Sequence, residues 1–77
     1  MNIQRRLARD YLNDASLSDY WDVVREAKIS NADKAIIDAR FVEGLSIGQI
    51  AMQFNYSEEK VKAVIQKSYD KIARLIQ

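Results

Sequence analysis

The sequence predicts an all-α fold, a small helical domain of four to five helices spanning residues 1–77. Three observations carry that prediction. Hydrophobic residues make up 48% of the 77 and charged residues 30%, a balance that suits a compact domain rather than a disordered segment. There is no proline and there are only two glycines, so helical runs go uninterrupted. The apolar residues recur at helical spacing, and serines stand where helices would begin. A chain of this length buries only roughly 60% of the surface its unfolded form exposes, so the core must be small and efficient.

The first helix is expected from about Asn2 to Asn13, with Ile3, Leu7, Tyr11 and Leu12 at helical spacing, fading in the stretch "NDAS". A short second helix follows Ser18 as N-cap. Asp19 and Asp22 in its first turn favour the positive end of the helix dipole, and Tyr20, Trp21, Val24 and Ala27 form the inward stripe. The third helix opens at Ser30 or Asn31 and runs to Glu43, where Gly44 supplies a left-handed terminating residue. Its apolar residues Ala35, Ile36, Ile37, Ala39, Phe41 and Val42 spread around most of the cylinder. That spread predicts a central helix, packed between the N-terminal pair and the C-terminal helices.

The segment "GLSIGQIAMQFNYSEEKVKAVI" then supplies two more starts. Ser46 and Gln49 have the S-x-x-Q spacing of a capping box, opening a helix of about two turns whose Ile50, Ala51 and Phe54 face inward. The chain reverses through Asn55, one of the few non-glycine residues that tolerates positive φ. Ser57 caps the last helix, with Glu58 and Glu59 in its first turn. Val61, Val64, Ile65, Ser68, Ile72, Leu75 and Ile76 share one arc of that helix. Glu59, Lys62, Ala63, Gln66 and Asp70 share the opposite arc, and Lys60, Lys67, Lys71 and Arg74 lie along a flank. A capped short helix, a tight turn with a left-handed residue and a capped longer helix make a C-terminal helix-turn-helix. Ala51 would sit where the helices cross, and Tyr56 would plug the turn.

The run from Asp33 to Ile76 resembles the fourth region of bacterial sigma factors, the domain that reads the promoter's upstream element. More loosely, it resembles the helix-turn-helix output domains of response regulators. Arg40, Phe41, Glu43 and Gly44 lead into a Leu45–Ser46 helix start, followed by the Ile50–Ala51 pair and a serine-capped helix bearing Glu58, Val61 and Lys62. The family's turn usually has glycine where this chain has Asn55, and an arginine is common where it has Glu58. The resemblance leaves residues 1–29 uncovered and shows no sigma core-binding or melting region. It implies DNA binding in transcription, and RNA polymerase or another transcription protein as a partner.

The candidate DNA-binding residues come from the outward arc and the helix starts. Glu59 can accept from cytosine N4 in the major groove, and Ala63 is small enough for close approach or for a thymine methyl. Lys60, Lys62 and Lys67, with backbone amides at Ser46, can hold flanking phosphates, and Ser57 and Gln66 complete the recognition segment 57–66. Each feature also has a plain structural explanation. Carboxylates in a first turn gain roughly 0.3–1 kcal/mol from the dipole, and the lysine stripe suits a solvated face near a helix C-terminus. Trp21 and the tyrosines read as core. Arg5, Arg6 and Arg9 fit a solvated face, a phosphate clamp or a partner surface equally.

Double-stranded DNA is therefore the expected partner, and because one helix reads few base pairs a homodimer or tethering protein would complete the site, through the helices of residues 1–29. The alternative is an interaction module that modulates transcription through protein contacts with little DNA affinity. Charge is uneven in a way that permits both. Residues 1–9 carry three arginines and no acid, residues 10–43 eight acids against four bases, and residues 60–77 five bases against one acid.

Catalysis is not expected. The chain lacks cysteine and histidine, which removes disulfides, thiolate zinc sites and the commonest general base and metal ligand. No convergent acid, base and nucleophile set is visible, so no cofactor or metal is anticipated. No apolar run approaches the ~20 residues that cross a bilayer, and the basic, amphipathic opening has no apolar signal core. A cytoplasmic location without membrane contact is the expectation.

Overall fold

In the computed structural model, residues 3–76 are described, and they form five helices: α1 (Ile3–Asp14), α2 (Leu17–Glu26), α3 (Asn31–Phe41), α4 (Ile47–Phe54) and α5 (Glu58–Ile76). There is no strand among the described residues. The expected start of the first helix at Asn2 lies outside them. Serine hydroxyls begin the last four helices. Ser16, Ser30, Ser46 and Ser57 accept from the amides of Asp19, Asp33, Gln49 and Lys60 at 3.1, 3.2, 3.1 and 3.1 Å, each satisfying a donor that the first turn leaves open.

The cap of α2 is therefore Ser16 and not Ser18. Starting two residues earlier puts Asp19 at the position whose amide the cap receives, and lets the Tyr20 amide donate to Ser16 O at 2.8 Å. Helix α3 ends at Phe41, short of Glu43. Val42 caps it, Gly44 turns left-handed at φ +73°, and Leu45 N–H donates back to Ala39 O at 3.0 Å. Val42 thus falls beyond the helical face that the core covers, and it is exposed.

The central helix is α5 rather than α3. Its 19 residues make it the one helix long enough to run past all the others, and each of them packs on it, α1 most extensively. Ala8 and Leu12 of α1, Tyr20, Val23 and Val24 of α2, Ile36, Ile37 and Ala39 of α3, and Ile50 and Ala51 of α4 join Val61, Ile65, Tyr69, Ile72 and Ala73 of α5 in one core. The buried face of α5 accordingly widens toward its C-terminal half, where α1 lies. It takes in Tyr69 and Ala73 and leaves Leu75 exposed and Ile76 half-buried.

Helix α1 is rolled relative to the face its sequence suggests. Ile3 and Leu7 are 67% and 49% exposed and Tyr11 also faces solvent, whereas Ala8 and Leu12 are buried. The edge that faces α5 is the one carrying Ala8 and Leu12, which enter the core. On the same edge Arg5 donates from Nε and Nη2 to Asp70 Oδ1 and Oδ2 at 2.8 and 3.0 Å, a two-point clamp beside the buried Ala8 and Leu12. The small Ala8 side chain permits the close approach.

Helices α2 and α3 are tied by a polar contact beside the core. Tyr20 Oη–H donates to Asp38 Oδ1 at 2.9 Å, while Lys34 Nζ donates to Oδ2 at 2.9 Å and lies 4.1 Å from the centroid of the Trp21 ring. Burial, reinforced by the bond to Asp38, pushes the Tyr20 phenol well above its usual range. Edge-on contacts link Trp21 to Tyr20 and Phe41 to Tyr69 at 5.2 and 6.1 Å between ring centroids. Of the aromatic residues read as core, Tyr20 and Tyr69 are buried, Trp21 and Tyr56 are half-buried, and Tyr11 is not.

Candidate nucleic-acid interface

The α4–α5 pair is set by local chemistry. Ser46 and Gln49 form the capping box in both directions, with Ser46 N–H donating to Gln49 Oε1 at 2.9 Å. Asn55 takes φ 58° and ψ 44°, the left-handed conformation that ends α4, and Tyr56 N–H returns to Ala51 O at 2.9 Å. Phe54 and Tyr56 stack at 6.2 Å, and Lys60 Nζ sits 4.3 Å from the centroid of the Tyr56 ring. The turn is thus braced on both sides. Ile50, Ala51, Val61 and Ile65 are buried beneath it.

This packing leaves the opposite side of the first half of α5 open. Ser57, Glu59, Lys60, Lys62, Ala63, Gln66 and Lys67 are all exposed, as is Ser46 across the turn. Their spacing of three and four residues groups Glu59, Lys62, Ala63 and Gln66 on one strip. The two glutamates have separate settings. Glu58 leans back over α4, with Oε2 3.8 Å from where a Cβ on Gly48 would stand, so its charge favours the N-terminal ends of two helices at once. Glu59 is exposed.

Five candidates are already engaged within the chain: Ser57 Oγ by the Lys60 amide, Lys60 by the Tyr56 ring, and three more by other partners. Gln66 Oε1 accepts from Arg5 Nη1 at 3.3 Å, Lys67 Nζ lies 3.7 Å from Asp33 Oδ2, and the Ser46 amide is taken by Gln49. The outward arc also ends sooner than helical spacing implies. Asp70 is half-buried beside α1, where the hydrogen bond from Arg5 holds its carboxyl below the usual range, and Arg5 is raised in turn. Nothing in the sequence could pair Arg5 with Asp70, 65 residues apart. Arg9 bonds its neighbour Asp10 at 3.1 Å, and Arg6 is exposed. Among the described residues no cluster of acidic side chains could hold a metal ion, and no helix is long and apolar enough to cross a membrane.

No family model, curated protein or solved structure matches this chain.

Proposed function

We propose that this protein binds double-stranded DNA in a transcription-related role, with residues 57–66 acting as the recognition segment of a helix-turn-helix. The observation that carries the reading is the α4–α5 pair itself. Its capping box, left-handed Asn55 and Ser57 cap fix a two-helix unit whose second helix has one open strip made of Glu59, Lys62, Ala63 and Gln66. An α-helix is of a size that the major groove admits, and Glu59, Lys62 and Gln66 offer it an acceptor and donors beside the small Ala63. Lys60 and Lys62 serve flanking phosphates, and Lys67 joins them by leaving Asp33. Gln66 keeps its amide NH₂ free to donate while its carbonyl is held by Arg5. The protein-only alternative draws on those same engagements of Gln66 and Lys67.

Selection of bound duplexes from a random pool, followed by a salt titration on the enriched site, tests the proposal. Lys62→Ala should weaken all duplexes alike and flatten the slope of log affinity against log salt by about 1. Glu59→Gln should raise non-specific affinity while reducing preference at one base pair by about 1–3 kcal/mol. A uniform rise with preference intact would return Glu59 to a helix-start role. Absence of salt-dependent duplex binding at low ionic strength would reject DNA in favour of the protein-only module.

A further inference from the structure

An apolar groove opens at the corner where the end of α1 turns into α2 and meets the last turn of α5. Its volume is about 730 Å³, and Leu7, Tyr11 and Ile76 supply its apolar lining while Asp10, Asp14 and Asp19 stand around it. No cationic side chain lines it. The apolar surface continues along α1 to Ile3, four residues before Leu7 as Leu7 is four before Tyr11, so the three exposed side chains follow one another along one side of the helix. Asp10 is paired with Arg9, but among the described residues no ion pair is made by Asp14 or Asp19. Apolar groups that would be better buried thus lie beside carboxylates that would be better paired.

We propose that this groove docks a basic amphipathic helix of a partner protein. The occupant is chosen by charge. An apolar stripe edged by lysine or arginine fills the groove with its apolar side and brings cations to Asp14 and Asp19 on its flank. Nucleic acid and anionic lipid are repelled by the same carboxylates. A second copy fits poorly, because a two-fold contact centred on the groove sets its acids against their own counterparts. The groove shares no residue with the strip on the first half of α5, so its occupancy does not depend on whether the chain binds DNA.

The test uses the full chain and a synthetic helical peptide with leucine along one face and lysine along the other, compared with the same peptide carrying glutamate for lysine. Heteronuclear NMR titration of the parent protein should give saturable shifts at Leu7, Tyr11, Asp14 and Ile76 with the lysine peptide and none with the glutamate peptide. The double variant Asp14→Asn, Asp19→Asn should weaken binding by about tenfold or more, as loss of two facing charges does. Leu7→Gln, at an exposed position outside the core, should weaken it without altering charge, with the melting curve of the variant confirming that it folds. The proposal fails if the lysine peptide shows no saturation up to about 1 mM, if the glutamate peptide binds equally, or if neither variant changes affinity. It also fails if sedimentation shows the parent forming a dimer that Leu7→Gln abolishes, which would give the face to a second copy.

Discussion

Asn55 and Lys28 are the two non-glycine residues with positive φ among the described residues, at 58° and 56°. They differ in cost. Asparagine's short amide tolerates the left-handed region, whereas a long side chain placed there costs roughly 1–2 kcal/mol. Lys28 closes α2, donating its N–H to Arg25 O at 3.1 Å, a position that helices commonly give to glycine. Lys28→Gly should therefore stabilise the fold by about 0.5–1 kcal/mol, less than the full relief because glycine loses more freedom on folding. Asn55→Gly should be close to neutral and Asn55→Val should cost about 1 kcal/mol or more. Urea denaturation of the three variants checks the set, and a neutral valine at 55 would mean that the turn is not held left-handed in solution. Asn55 is legible in the sequence because asparagine is itself a turn signal between two apolar runs. Nothing in the stretch "REAKIS" marks Lys28, since lysine is not itself a turn signal and no glycine or asparagine stands there.

Elements divide along the same line between local and distant causes. The caps at Ser30, Ser46 and Ser57 depend on residues three apart, and sequence reading finds them. Between Ser16 and Ser18 the sequence does not decide, because the bonds to Asp19 and Tyr20 that favour Ser16 are as short-ranged as those a start at Ser18 would make. The roll of α1 is beyond the reach of sequence, because the surface it packs on, and Asp70 that Arg5 meets there, belong to α5 far along the chain. An alanine can outrank three larger apolar residues in burial when a neighbouring helix must come close. The same consideration gives a prediction for α4. Ala51 is buried among residues of helices that pack on α4 from two sides, α3 and α5. Ala51→Leu should force them apart and destabilise by about 1–3 kcal/mol, as overpacking does. Thermal melts of Ala51→Leu beside the exposed Met52→Leu measure it. Equal loss at both positions would remove Ala51 from any close crossing.

At the scale of the molecule, α5 carries two dissimilar surfaces on one rod. The strip centred on Ala63 and the groove that reaches Ile76 are separated by thirteen residues, or roughly 20 Å at 1.5 Å per residue. Between them sits the Arg5–Asp70 clamp, which ties α1 to α5 and so bears on the position of the groove, whose lining α1 shares, and not on that of the strip. The clamp is partly exposed, with side-chain accessibilities of 33% and 40%, so solvent and salt weaken it. Its pH dependence is definite in direction. The hydrogen bond from Arg5 lowers the Asp70 carboxyl below its ordinary value of 3.8. The folded state therefore prefers the charged form, and the resulting stability is full above that value and lost as pH falls through the lowered one. Asp70→Asn should reduce the Tm slightly at pH 7, more at low salt than at high salt. The gap from the parent should narrow below about pH 4 and close in stronger acid, where both chains carry a neutral side chain at position 70. Because α1 would then be less firmly held, amide exchange in Leu7–Leu12 should quicken while that in α4 stays unchanged. A Tm difference that persists undiminished into strong acid would show that position 70 acts through packing, and the charge clamp would lose its place in holding α1 on α5.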